Sequence, residues 1–380
     1  PTLLDLCGLP IPAGLDGRSL LGTLEREPES RDVYLETHLP YEDYGWSPLF
    51  AMVKNRWKYI EAPKPELYHL VPDPGEGNDL ARIQHPTATS MESALLKLAN
   101  RRSPGVERVP VDGVSLASLM AVGYVSGRGM AREGESLPDP KDLIDIPGKL
   151  EQVRTVLFAR GPKERLQGVI LLEEILKRNP GNGDALRLLC YEALRFAKDP
   201  RDPNKTRYLA AARRGFSLWA ERAPKSPDPE YGLGLITLSE ANLAQARYHF
   251  QEVRRKFPEH VRSVTALMQM AYQEHDLASA RELAEEALAR DPEDPETTLQ
   301  VGMVRRECGD LRGAIALFQK LLPGRDLDEG QYLYFLLGES YRALEEYQKA
   351  LDSYRKVTHP LIRRQRNVEA LQAECRRRLQ

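Results

Sequence analysis

The sequence predicts a mainly α-helical protein, an α-α superhelical solenoid of helix pairs over its back half, with a small α+β segment ahead of it. Three observations predict this. Proline, small and aromatic residues recur at a spacing of 34 toward the C-terminus, the mark of a repeated structural unit. Near the front, aromatics crowd together instead, with Tyr41, Tyr44, Trp46, Phe50, Trp57, Tyr59 and Tyr68 among short β-prone runs. The bulk composition is ordinary: 380 residues, 41% apolar, 29% charged, 54 Lys+Arg against 56 Asp+Glu and a net charge of −2. That length implies two or three domains with cores of their own. The balanced charge excludes a protein dominated by nucleic-acid binding, which needs a broad basic face. The longest uncharged stretch, Gly113 to Gly127, is too short to span a bilayer.

The repeat rests on three ladders. Pro224, Pro258 and Pro292 lie 34 apart, with Pro180 ahead of them. Gly234, Met268 and Gly302 keep the same spacing, and Gly338 follows at 36. Ala212, Ala246, Ala280, Ala314 and Ala350 form the third, with a large residue four positions on at Phe216, Phe250, Phe318 and Tyr354. Two helices per unit explain this. A small residue on the first helix lets the second come close, the aromatic fills the gap, and the proline ends the second helix. Six units are expected, at about 149–182, 183–226, 227–260, 261–294, 295–330 and 331–364. The first is weak, with Gly168 at the small position, and the second carries the insertion AKDPRDPNKT. A capping helix over 365–380 is expected to close the array, with Arg376, Arg377 and Arg378 complementing its C-terminal end.

The segment PEYGLGLITLSEANLAQARYHFQEVRRKFPE from Pro229 resembles the tetratricopeptide family. The resemblance implies a scaffold that binds an extended protein or peptide in a groove lined by the first helix of each pair. It places that groove at Arg262, Thr265, Gln269, Tyr272, Leu299, Met303, Arg306, Tyr332, Phe335, Glu339 and Arg342. The mixture of basic, amide and aromatic side chains suits a peptide with an acidic or aromatic element. The Lys/Asn clamp with which some members hold a C-terminal carboxylate is absent from these positions.

Ahead of the array, Thr2–Cys7 reads as a short helix capped by Thr2 and stopped by Gly8 and Pro10. LDGRSLLGTL reads as a second. RDVYLETH reads as a strand with Val33 and Leu35 on one face, LFAMVKNRWKYIEA as a hairpin turning at Asn55 and Arg56, and ELYHL as another strand. VPDPGEGNDLA reads as a turn into a helix over about 85–101. Asp73, Glu76, Asn78 and Asp79 there lack EF-hand spacing and fit a turn and helix cap. The four cysteines are far apart, with no CxxC pair and no zinc spacing, and read as inert thiols.

PTLLDLCGLPIPAGLDGRSLL, followed by VYLETHLPYEDYGWSPLFAMVKNRWKYIEAPKPELYHLVPDPGEGNDLA, resembles the C-terminal end of a type I sulfatase of the alkaline phosphatase superfamily. That family usually shows PTLLDLAG, LDGRSL, WKYI and ELYDL at the corresponding places, and His69 stands where Asp is common. The match covers residues 1–82 and continues loosely through SLMAVGYV to Pro140–Lys141–Asp142. It divides the chain into an incomplete sulfatase-like C-terminal subdomain (1–102), a linker with a docking helix (103–148), the repeats (149–364) and the cap (365–380). Family chemistry uses a formylglycine made from a C/S-x-P-x-R motif, with calcium, on a sulfate ester. None of Cys7, Cys190, Cys308 or Cys375 begins that motif. The resemblance therefore implies formylglycine and calcium for a full-length parent and no catalytic residue or cofactor in this chain. It also implies a bacterial periplasmic, envelope-associated or secreted parent. Since the pattern is already under way at Pro1, a fragment or truncated product of a longer sulfatase is expected, itself inactive. A non-catalytic scaffold is the alternative. His38, Tyr41 and Trp46, in a polar and aromatic loop with Glu36, Thr37 and Tyr44, are the candidates for a substrate rim. The bland reading packs those aromatics on the small sheet.

Overall fold

The structure is a computed structural model describing residues 1–15, 17–23, 32–99, 130, 134–158, 161–323 and 330–380. The chain divides into two compact units, Pro1–Leu189 and Cys190–Gln380.

The first unit contains a four-stranded antiparallel meander in the order β1 (Val33–Thr37), β2 (Leu49–Lys54), β3 (Trp57–Glu61) and β4 (Glu66–His69). Asn55 and Arg56 have φ of 49° and 69°, as a two-residue hairpin turn of matching twist requires. Tyr34, Met52, Tyr59 and Leu67 stand opposite one another across the sheet. With Met91 and Leu95 they build the core under α3 (His85–Ala99). Val33 and Leu35 share a face, as expected, but it is the open one, 46% and 45% exposed.

Other details differ from expectation. Helix α1 (Thr2–Leu6) has no side-chain cap; Thr2 Oγ1 instead accepts from Leu20 N at 3.0 Å. The second short helix is a 3-10 turn over Leu21–Thr23. The loop holding the rim candidates is helical from Leu39 to Tyr44 (α2). Cys7 is exposed and Cys308 half-buried, while Cys190 and Cys375 are buried. Burial, reinforced by Asp228, pushes the Cys190 thiol well above its usual range. The turn reading of the acidic cluster matches its bonding. Asp73 accepts from Gly77 N and Asn78 N, Asp79 from Leu67 N and Ala81 N, and Glu76 pairs with Lys58 at 2.7 Å.

Residues 134–148 are bound to the sheet. Ser47 N donates to Pro138 O, and Asp139 accepts from Lys64 N and Lys141 N, each at 2.9 Å. Lys64 and Asp142 pair at 2.6 Å. The docking helix expected within 103–148 falls on SLMAVGYV, outside the described residues. A helix pair follows, α4 (Ile146–Phe158) and α5 (Pro162–Arg178). A methyl on Gly168 would meet Leu157, so this pair does approach through its small position.

Helix α6 (Gly183–Ala197) holds the boundary between the units. After it come α7 (Lys205–Arg222), α8 (Asp228–Ser239), α9 (Leu243–Lys256), α10 (Val261–Gln273), α11 (Leu277–Arg290), α12 (Pro295–Glu307), α13 (Leu311–Lys320), α14 (Gln331–Ala343) and α15 (Tyr347–Arg355). α16 (Pro360–Gln365) and α17 (Val368–Leu379) close the chain. α17 buries Val368 and Cys375 against the last core cluster and leaves Arg376, Arg377 and Arg378 exposed.

The ladders become a packing rule. A Cβ on Gly234, Gly302 or Gly338 would lie 2.5 Å from the ring of Phe250, Phe318 or Tyr354 respectively. Each first-helix glycine is therefore the seat of a second-helix ring. The pair 261–294 reverses the volumes: Met268 stands at the glycine place, Ala284 at the aromatic place, and both are fully buried in one cluster. Cys190 holds the glycine place of pair 183–226 and is fully buried too.

A further ladder was not visible in residue type. The turns between paired helices place Ala241, His275, Gly309 and Glu345 at φ of 61°, 62°, 84° and 61°. The next residue donates back five positions, as Asn242 N does to Thr237 O and Asp276 N to Ala271 O. Asn242, Asp276 and Asp310 then cap the second helix by accepting from Gln245 N, Ser279 N and Gly313 N. Only Gly309 suits the left-handed conformation without cost, and a Cβ there would meet nothing within 4 Å. The penalty is thus conformational. Ala241→Gly and Glu345→Gly are each expected to stabilise the array by about 1 kcal/mol, read as a rise in the denaturation midpoint. No change in either variant would contradict the turn geometry.

Candidate peptide-binding face

The first helices of the second unit carry one built polar cluster. Tyr191 comes from α6, Asp228 and Tyr231 from α8, and His260 and Arg262 from the start of α10. The Arg262 guanidinium lies 4.8 Å from the Tyr231 ring centroid and 5.8 Å from that of Tyr191, within cation–π range. Tyr191 Oη donates to Asp228 Oδ1 at 2.8 Å, and Ser226 Oγ donates to Asp228 Oδ2 at 3.1 Å. The His260 ring meets that of Tyr231 edge-on at 5.0 Å. Burial pushes the Tyr191 phenol up, with Asp228 adding to it, and burial also raises Tyr231. Burial lowers His260 below its ordinary value of 6.5, which favours the neutral ring. Tyr231 is buried, Tyr191 half-buried and Arg262 exposed.

The expected groove residues are spread more widely. Gln269 is exposed on α10, but Thr265 is buried and donates to Val261 O. Tyr272 is half-buried, its phenol raised by burial and then by Glu307. Leu299 and Tyr332 line a cavity of about 300 Å³ with Asp294, Glu296, Leu321 and Leu333, and Met303 packs on the same core cluster as they do. Arg306 pairs with Glu307 at 2.5 Å. Arg342 faces Glu339 at 3.4 Å and Glu374 at 3.5 Å, while Glu339 also accepts from Tyr354 Oη. Phe335 corrects the expectation: at 7% exposure it packs with Leu336, Leu337 and Tyr354 and belongs to the core.

The structure thus joins Arg262 to four residues that sequence reasoning missed. Applying the same helix positions to the two preceding pairs reaches Tyr191, Asp228 and Tyr231. The insertion in the second pair breaks the register for Tyr191, whereas Asp228 and Tyr231 keep the 34-residue spacing.

Of the rim candidates, His38 stands at the N-cap position of α2 without a side-chain capping bond and meets Phe50 edge-on at 5.6 Å, and Tyr41 is exposed. Trp46 is a correction. It is 5% exposed and stacked on Tyr44 at 4.4 Å, so its indole is packing and not rim. Among the described residues, no group of three or more His, Cys, Asp or Glu side chains is arranged to hold a metal. Among the same residues, no helix is long and apolar enough to cross a membrane.

Residues 231–295 match the tetratricopeptide repeat family model. Over those residues the helical array is of tetratricopeptide repeat type. Among solved structures, the array is similar to PilF of Pseudomonas aeruginosa, with 13% identity, coverage of 60% of this chain and 96% of that one, and a TM-score of 0.42. Two curated relatives are sulfatases. Delta 4,5-hexuronate-2-O-sulfatase of Bacteroides thetaiotaomicron is 39% identical over 88 residues, 22% of this chain and 18% of that protein. Arylsulfatase K of Bos taurus is 28% identical over 111 residues, 26% and 21%. The chain spans about a fifth of the length of the curated relatives it matches.

Proposed function

We propose that this chain is the partner-binding portion of a sulfatase-type protein, with a tetratricopeptide array that docks an extended peptide along its first helices. The polar cluster on α6, α8 and α10 carries this reading, because it presents a fixed cation and phenols across three successive first helices. Such a face recognises a peptide through anchored side chains. The sulfatase motifs of residues 1–82 and the two curated relatives support the sulfatase relation. Sulfate-ester hydrolysis then belongs to a longer parent that supplies the C/S-x-P-x-R segment and calcium, and this chain by itself is inactive.

Two measurements test the reading. Incubated with an aryl sulfate, the chain is expected to release no sulfate above buffer; turnover would overturn the inactive assignment. Selection from a displayed library of random linear peptides is expected to enrich binders to the chain. Failure to enrich any would overturn the docking function.

A further inference from the structure

Most arginines on the helices of the second unit face a carboxylate, but Arg262 faces two tyrosine rings instead. Arg213 pairs with Glu240, Arg247 with Glu274, Arg254 with Glu286 and Arg305 with Glu285. Arg262 is exposed, yet among the described residues no carboxylate lies within ion-pair distance of it. It lies over the rings of Tyr231 and Tyr191, with their phenol groups within its hydrogen-bonding reach. Asp228 is close enough to influence it, but its two oxygens are occupied by Tyr191 Oη and Ser226 Oγ. Asp228 therefore fixes the Tyr191 ring beneath the guanidinium and acts on Arg262 through its charge without forming an ion pair with it.

Arg262 has five N–H donors, more than the two neighbouring phenols engage, so an N–H edge remains for another acceptor. That edge is a fork of donors that matches a carboxylate with two parallel bonds. The charge count favours one negative charge over two: one cation is present, the Asp228 carboxylate repels a dianion, and the half-buried His260 adds no positive charge while its ring is neutral. Neighbouring rings restrict the rotamers of Arg262, so less entropy is lost when a ligand pairs with it.

We infer that Arg262, held over Tyr231 and Tyr191, is an anchor for a single side-chain carboxylate, an Asp or Glu within an extended peptide partner. The inference rests on the docking function proposed above and adds the chemistry of the partner at one position.

Fluorescence anisotropy with defined peptide pools tests it. Each pool is a fluorescein-labelled heptapeptide, acetylated and amidated at its ends, random except for a central Glu in one pool and Gln in the other. The chain is expected to bind the Glu pool at least tenfold tighter than the Gln pool. Arg262→Gln is expected to remove that preference, and Arg262→Lys, which keeps the charge but not the fork, to retain part of it. Circular dichroism confirms that both exposed-site variants are folded. Equal binding of the two pools, or a preference that survives Arg262→Gln, would overturn the anchor while leaving peptide docking intact. A third pool, with central Gln and a free C-terminus, separates the two carboxylate sources. If it bound as tightly as the Glu pool, the carboxylate would belong to a chain end and the side-chain assignment would be overturned. No binding by any pool would overturn docking itself, and the anchor with it.

Discussion

Phe250→Ala is expected to cost the array about 3–5 kcal/mol, and Gly234→Met about 1–3 kcal/mol, yet the two together are expected to cost less than Phe250→Ala alone. Phe250 is fully buried with its ring against Gly234. Removing the ring leaves a cavity facing a residue that has no side chain to move into it. Inserting a Met at Gly234 drives its Cβ to 2.5 Å from that ring, so the ring or the helix must shift. The chain already contains the combined solution one repeat later, where Met268 and Ala284 meet fully buried. A double-mutant cycle by denaturant titration measures the compensation, and a favourable coupling of about 1–3 kcal/mol is expected for residues in direct contact. Because repeat arrays unfold as coupled units, amide exchange on α8 and α9 locates the loss. Additive costs would show that the glycine and the ring do not share one space.

Asp139→Ala is the second large effect. Asp139 is 3% exposed and accepts from Lys64 N and Lys141 N at 2.9 Å, with Lys141 Nζ at 3.8 Å. Alanine would strip the acceptor from both backbone donors, and an unsatisfied buried donor costs about 1–3 kcal/mol. Asp139 is also the N-cap of the 3-10 turn Pro140–Leu143, so the variant releases the segment that ties the sheet to α4. Faster amide exchange at Lys64 and Lys141, with new protease cleavage within residues 134–145, is the expected outcome. Asp139→Asn is expected to recover part of the loss through its remaining carbonyl acceptor. Unchanged exchange in the alanine variant would show that the tie lies in the surrounding ion pairs instead.

Much of this fold is legible in the sequence because its determinants are residue volumes at a fixed period. Gly234, Gly302 and Gly338 announce the ring opposite them, and even Met268 fits once Ala284 is read as its complement. The hairpin was legible for the same kind of reason, since Asn55 tolerates positive φ and the flanking residues favour strands. Where the structure departs, a tertiary contact decides. Nothing local distinguishes Trp46 as core from Trp46 as rim; its burial comes with the folded chain, where the adjoining Ser47 N donates to the distant Pro138 O. Phe335 looked like a groove residue by helix position, but neighbouring Tyr354 and Tyr332 enclose it. The left-handed turn positions were hidden because Ala241, His275 and Glu345 are not the residues that conformation favours. The cluster around Arg262 was only one-fifth legible: the insertion hides the register of Tyr191, while Asp228 and Tyr231 keep the 34-residue spacing from Arg262 and Thr265 but lie in a pair where no groove residue was expected.

The claim that partners dock along the first helices is tested most directly by site-specific photocrosslinking. A benzophenone side chain is placed at Gln269, exposed on α10, or at Tyr248, exposed on α9, and the chain is irradiated with a selected binding peptide. The account predicts peptide adducts from position 269 and none from position 248. Adducts from 248 alone would place the partner on the second helices and contradict it.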